Sequence, residues 1–461
     1  MRSRLGLFAV VMINIIAVDS LRSLPFSAMY GFSLVFFYLI AAITFLIPSG
    51  FAAAELATGW PKRGGIYVWV TEAFGPRWGF VVIWLQWIYN VVWYPTLLSF
   101  LAGAVAYIVD PTLVDSKWYM FWMVLLIFWG ATLLNFFGMR TSSLFSGIGA
   151  LIGTLLPMGV IIFLGISWIA MGYTPQIEFS LSSFLPTQVA FDDISFYIAL
   201  LFGLMGLEMS AVHADEVKKP QTTFPRAIII SSVIIIISLV LSSLSIAIVV
   251  PREELNVVSG LLQAYDIFFS KFNATGFLPL LALCIIIGSI GNMSAWVLGP
   301  SKGLMIAIRE SNLSIRLGKE SVRGVPVPIL IAQGVIVSIL STSFLFLPTV
   351  SSSYWVLSVI TGELALFVYI GLFASLIKLR ITHAHVKRHF MLPGGIAGAI
   401  IIGGVGLLAC VTGCIAGLIP PKTLRTGSII AYECMVIGGT AFFTILPFFI
   451  FKARQRGKVR Q

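Results

Sequence analysis

The chain has 461 residues, 59% hydrophobic and only 10% charged, with a mean hydropathy of +1.01. That excludes an ordinary soluble domain, which could not cover so much apolar surface. The net charge of +11 invites a nucleic-acid partner, but the basic residues lie in short connections between apolar runs, the pattern of a membrane topology and not of a nucleic-acid-binding face.

Apolar runs of spanning length predict an all-α membrane protein with twelve transmembrane helices. Their bounds are 5–29, 31–57, 78–108, 118–138, 143–171, 190–214, 225–250, 276–306, 327–347, 353–378, 394–418 and 427–451. Alternating ten-residue strands are absent, which excludes a barrel. The first run lacks a small-residue cleavage site after it, so it is expected to be retained.

The first span holds Ala17-Val18-Asp19-Ser20-Leu21-Arg22-Ser23-Leu24-Pro25 between two apolar stretches. A charge at a helix centre costs about 2.5–3.5 kcal/mol on insertion scales. Proline removes a donor and disfavours helix in the residue before it. The stretch therefore predicts a broken helix facing a cavity, with Asp19, Ser20 and Arg22 as substrate-binding residues. Asp19 and Arg22 stand three apart, so pairing with each other and facing a substrate's charges both remain open.

The sixth span repeats this irregularity in Phe202-Gly203-Leu204-Met205-Gly206-Leu207-Glu208. Gly203 and Gly206 weaken the helix by about 1 kcal/mol each, and Glu208 can touch substrate, carry a proton or cap the broken backbone. Five spans separate the breaks, so the two halves enter the membrane in opposite senses. We expect one transmembrane domain over 1–461, with inverted repeats at 5–172 and 190–380 and two additional helices in 394–451, the LeuT-type 5+5 arrangement. Paired broken helices point to a secondary transporter.

With the N-terminus inside, 23 of the 29 Lys and Arg fall on the cytoplasmic side, five on the other, and Arg22 lies within the membrane. Both termini are expected in the cytoplasm. Glu363 is a further mid-span acid and a proton or gating candidate. His213 ends the sixth span beside Asp215 and Glu216. His383, His385 and His389 have metal-like spacing, but in a basic loop without acids, which reads as a solvated loop. The cysteines Cys284, Cys410, Cys414 and Cys434 sit in apolar spans and read as buried apolar filler. Gly147, Gly149 and Gly153 form a helix-packing face, not a phosphate loop. No metal and no cofactor is expected.

The loop after span two runs Glu55-Leu-Ala-Thr-Gly-Trp-Pro-Lys-Arg-Gly-Gly-Ile-Tyr-Val-Trp69, then Phe74-Gly-Pro-Arg-Trp-Gly-Phe80. It resembles the amino acid–polyamine–organocation superfamily, and most nearly its glutamate/GABA antiporter family. The runs Gly31–Phe37, Gly75–Phe80, Met205–His213, Trp296–Ser301 and Gly324–Val327 are similar to that family's, and the resemblance extends from about residue 5 to the last span. It implies that Glu208 lies in the substrate region, that Trp296 gates or stacks on substrate, and that Asn292 stands where the antiporter has an acid. Glu55 is expected to stabilise the inner gate. The first break is longer here and holds Asp19 and Arg22 where the antiporter has tyrosines and a glutamate. The chain stops at Gln461, about ten residues past the last span, so the antiporter's C-terminal plug is not expected.

These observations predict a secondary active amino-acid transporter, an antiporter of the bacterial inner membrane, monomeric or homodimeric, with an amino acid or related amine and the bilayer as partners. A proton-coupled amino-acid or polyamine symporter, and a sensor on the same fold, are the alternatives. A channel would need a filter loop, and an enzyme a clustered nucleophile and base; the sequence offers neither. Without a Walker motif, ATP does not drive it directly.

Overall fold

A computed structural model describes residues 5–62, 64–136, 151–186, 194–211, 217–311, 317–321 and 324–458. The first predicted span is two helices, α1 (Leu7–Val18) and α2 (Leu21–Ala28), bent by 42° at the break. Then come α3 (Gly31–Gly59), α4 (Ile66–Phe74), α5 (Pro76–Val109), α6 (Lys117–Asn135) and α7 (Ile152–Ala170). The second broken segment is α8 (Phe196–Gly203) followed by α9 (Glu208–Ala211). The rest are α10 (Pro220–Ala247), α11 (Gly260–Lys271), α12 (Phe277–Glu310), α13 (Val327–Ser341), α14 (Val350–Thr382), α15 (Gly395–Gly417) and α16 (Ile429–Lys458).

Among the described residues, nine helices are long and apolar enough to cross a membrane, and α1 with α2 make a tenth as a bent span. The two remaining predicted spans coincide with shorter apolar helices at Phe196–Ser210 and Phe277–Ile290. The chain is thus an integral, multi-pass membrane protein. Its outer faces carry the signature of lipid contact: Leu126, Phe163, Val233, Leu280 and Leu408 are exposed although apolar. Cys434 belongs to this exposed surface, which corrects the expectation that all four cysteines are buried filler; Cys410 is buried.

Packing divides the helices into two groups. α1 lies against α10, and α9 and α10 against α3; α5 gathers α6, α12 and α13. α14 touches both groups, through α3 and α5, and carries α15 and α16 on its outer side. α7 bridges the groups by packing on α10 and α12. There, a side chain on Gly153 would strike the backbone of Gly288, so only glycine allows that approach. This bears on one of three glycines read as a packing face; Gly147 and Gly149 lie outside the described residues.

Helix α11 lies between the predicted spans 225–250 and 276–306, where no helix is predicted. Leu261, Leu262, Tyr265, Phe268 and Phe269 are buried along it, an amphipathic stripe at helical spacing. It is too short to span.

Candidate functional site

The two breaks meet. α1 ends where Asp19 turns extended, its N–H still bonded to the Ile15 carbonyl (2.8 Å), and Ser20 is extended too. A 3-10 turn at Leu21–Ser23 then starts α2. Pro25 is not at the break but in the first turn of α2, where its missing N–H costs nothing. α8 ends at Gly203, and Gly206 has φ +131°. A side chain there would stand 2.9 Å from the Ala17 carbonyl oxygen, and one on Gly203 3.1 Å from the Ser23 hydroxyl. Both glycines serve the contact between the breaks.

Between the breaks lies a cavity of about 110 Å³. Asp19, Ser20, Arg22, Gly203, Gly206, Glu208 and Trp296 line it together, which brings together every substrate-binding residue predicted from sequence save Asn292. Asn292 belongs to α12, but its side chain lies outside the described residues, as does all of His213. A wider vestibule of about 870 Å³ opens on the face bearing Lys62, Glu72 and Glu310. Ile16, Ala17, Glu208 and Trp296 line both spaces, so these residues form the boundary between them.

Each charged group in the cavity has a different neighbourhood. Asp19 and Arg22 do not pair. The Asp19 carboxylate accepts from the Ser238 hydroxyl of α10, at 3.2 Å to each oxygen. Glu208 accepts from the Tyr369 hydroxyl of α14 (2.5 Å) and from the Gly206 N–H (3.2 Å), so it caps the broken backbone while lining the cavity. The Arg22 guanidinium donates to Thr96 (3.2 Å) and Ser358 (3.4 Å) and lies over the rings of Trp93, Phe202 and Tyr354 at 5.5–6.0 Å.

Sequence reasoning missed several lining residues. Tyr89, Asn90, Trp93, Leu97 and Phe100 of α5 face the cavity. Their three- and four-residue spacing is a helical stripe with polar and aromatic members in an apolar span, and that signal could have found them. Ser238 and Tyr369 carried none: serine and tyrosine are unremarkable in such spans, and only the fold sets them against the acids.

The gating candidates separate. Glu363 accepts from Thr440 of α16 (2.5 Å) and lines neither space; it sits at the junction of α14, α15 and α16. Glu55 is buried at the end of α3, between Arg380 (3.2 Å) and Arg388 (3.4 Å), and accepts from the Leu392 N–H (2.8 Å). Thr58 and Phe390 exchange two further bonds beside it. The loop after α14 is thus fastened to the end of α3. His385 and His389 are exposed, as a solvated loop requires, but Arg388 and Phe390 of the same loop are buried. Among the described residues no three His, Cys, Asp or Glu converge as metal ligands would. At the vestibule mouth, Lys62 pairs with Glu72 (2.8 Å), and Tyr67 donates to Glu310 (2.8 Å). Burial and the Glu310 carboxylate push the Tyr67 phenol above its ordinary range, so it stays a donor at physiological pH.

Comparisons with known proteins find transporters. The family model described as amino acid permease matches residues 5–440. An uncharacterized transporter of Legionella pneumophila is 48% identical, over 97% of this chain and 96% of its own. A glutamate/gamma-aminobutyrate antiporter of Lactococcus lactis is 27% identical over 99% of this chain and 92% of its own. A probable agmatine/putrescine antiporter from the same species is 24% identical over 85% and 83%.

Proposed function

Because the chain belongs to the amino acid permease family of the amino acid–polyamine–organocation superfamily, we propose that it exchanges amino acids across a bacterial inner membrane by alternating access. The observation that carries this is the cavity held between two broken helices, with charged groups of both signs on its wall. Substrate sits between the breaks, against Asp19, Ser20, Arg22, Gly203, Gly206, Glu208 and Trp296, with Asn292 on the adjoining turn of α12. Helices α1 to α7 form one inverted repeat and α8 to α14 the other, and α15 and α16 are additions. Twelve crossings are read from the apolar runs, and cytoplasmic termini from the charge bias. On that topology the vestibule is cytoplasmic and this conformation faces inward.

Exchange then requires the α1/α3/α9/α10 group to rock against the α5/α6/α12/α13 group. The Glu55–Arg380–Arg388 cluster anchors the inner end of α3 to α14 during that movement. Asp19 and Glu208 have hydroxyl and amide donors but no cationic partner among the described residues, which favours proton uptake at one of them as the second reading, a symporter.

Counterflow in liposomes tests both. Vesicles loaded with one amino acid should take up its labelled form at pH 5.5 and 7.5. Uptake that depends on internal amino acid supports exchange. Uptake into empty vesicles under a proton gradient alone replaces exchange with symport, and carriage of amines alone sinks the amino-acid reading.

A further inference from the structure

Arg22 is 4% exposed, yet among the described residues it has no carboxylate partner. Its side chain donates to the hydroxyls of Thr96 and Ser358, the Tyr354 hydroxyl also lies against it, and its Nε is buried with no hydrogen-bond partner. A buried cation left so is costly unless something completes it. The surrounding rings do not do so: they offer three faces and one phenol, and none of them reaches Nε.

The same rings make an aromatic cage, formed by Trp93 of α5, Phe202 of α8 and Tyr354 of α14. Such cages hold ligand ammonium groups elsewhere. Here the protein's own guanidinium fills it. Arg22, Trp93 and Phe202 all line the cavity, as do Asp19 and Glu208.

From this we infer that Arg22 is the carboxylate anchor of the site, and that by occupying the aromatic cage it restricts the protein to substrates carrying both a carboxylate and an amine, excluding diamines. The inference rests on the proposed transport site. A bound carboxylate supplies the acceptors the guanidinium lacks, in the planar geometry that suits arginine. The substrate's ammonium goes to the side of Asp19 and Glu208. A diamine would set its second cation against Arg22, with the cage already taken.

The test uses substrate pairs that differ only by the carboxylate: ornithine and putrescine, lysine and cadaverine, arginine and agmatine. GABA and alanine are added as further carboxylate-bearing probes. Purified protein in detergent is unfolded thermally with each, and the rise in midpoint is converted to affinity. We expect carboxylate-bearing probes alone to stabilise the wild type, and to bind at least about tenfold more tightly than any decarboxylated partner, the scale of one charged hydrogen bond. In Arg22→Met the ratio should fall to near one, and in Arg22→Lys a preference should persist. A merely structural role would weaken all ligands alike and leave the ratio untouched.

Equal stabilisation of the wild type by both members of a pair, or by the amine alone, overturns the inference. So does an unchanged preference in Arg22→Met, or the absence of any shift with every carboxylate probe. Should Arg22→Met not fold, equal binding by the wild type still overturns the inference, and Arg22→Lys carries the test of the residue: a ratio unchanged from the wild type overturns it, a reduced one supports it. Counterflow separates the two readings. Amino-acid exchange by a wild type whose preference does not depend on Arg22 sinks only the inference; failure of amino-acid transport sinks the proposed function.

Discussion

At the residue scale, the site contains three acidic or basic side chains, Asp19, Arg22 and Glu208, none of which pairs with another. Glu208 is the most constrained, because one carboxylate oxygen takes both the Tyr369 hydroxyl and the Gly206 amide. Glu208→Gln keeps the shape but removes the charge. It should reduce counterflow about tenfold or more, the worth of a charged hydrogen bond, with protein yield preserved. Gly206→Ala acts on the backbone instead. Its φ of +131° and the nearby Ala17 oxygen leave no room for a methyl group, and strain of about 1–3 kcal/mol should appear as a lower unfolding midpoint. Asp19, Arg22 and Glu208 were legible in sequence because charge inside an apolar span is conspicuous. Their partners were not: Ser238 lies 219 residues from Asp19 and Ser358 336 from Arg22, and nothing local announces such a contact.

At the scale of elements, the loop after α14 shows how burial reverses a reading. Arg380 and Arg388 look like ordinary cytoplasmic cations in the charge count. The fold buries both against Glu55, with Arg388 also lying over the Trp60 ring at 5.2 Å. Removing the one acid strands two buried cations, so Glu55→Gln should cost about 3–5 kcal/mol, read as a fall in the thermal midpoint in detergent. Glu72→Gln, which breaks the exposed pair with Lys62, should cost no more than about 1 kcal/mol. The contrast matters, since a similar loss in both would mean that the buried cluster is not what fastens the loop. The helix breaks were readable as elements because glycine and charge interrupt hydropathy. Helix α11 was passed over because twelve residues of mixed polarity between two strong spans look like a connection.

At the scale of the whole molecule, the open vestibule and the small cavity make a directional claim. Gly299 of α12 lines the vestibule, is exposed, and has open space where a side chain would go. In a cysteine-free background, Gly299→Cys should react with a membrane-impermeant thiol reagent in inside-out vesicles and not in right-side-out ones. Labelling from the opposite side would reverse the proposed topology. Saturating substrate should slow the labelling if closure of the inner path accompanies binding. The sequence by itself determined that this chain lives in a bilayer, where its long apolar helices run, which two of them break, and its family. Those properties are carried by short-range hydropathy, by residues that cannot continue a helix, and by runs shared with relatives. The tertiary structure alone decided which groups face one another: that Asp19 takes a serine and not Arg22, that Arg22 fills a cage of three rings, that Glu363 stands apart from the cavity, and that Glu55 holds two arginines. Those contacts join helices far apart in the chain, and their energies depend on burial and distance, quantities that exist only once the helices have packed.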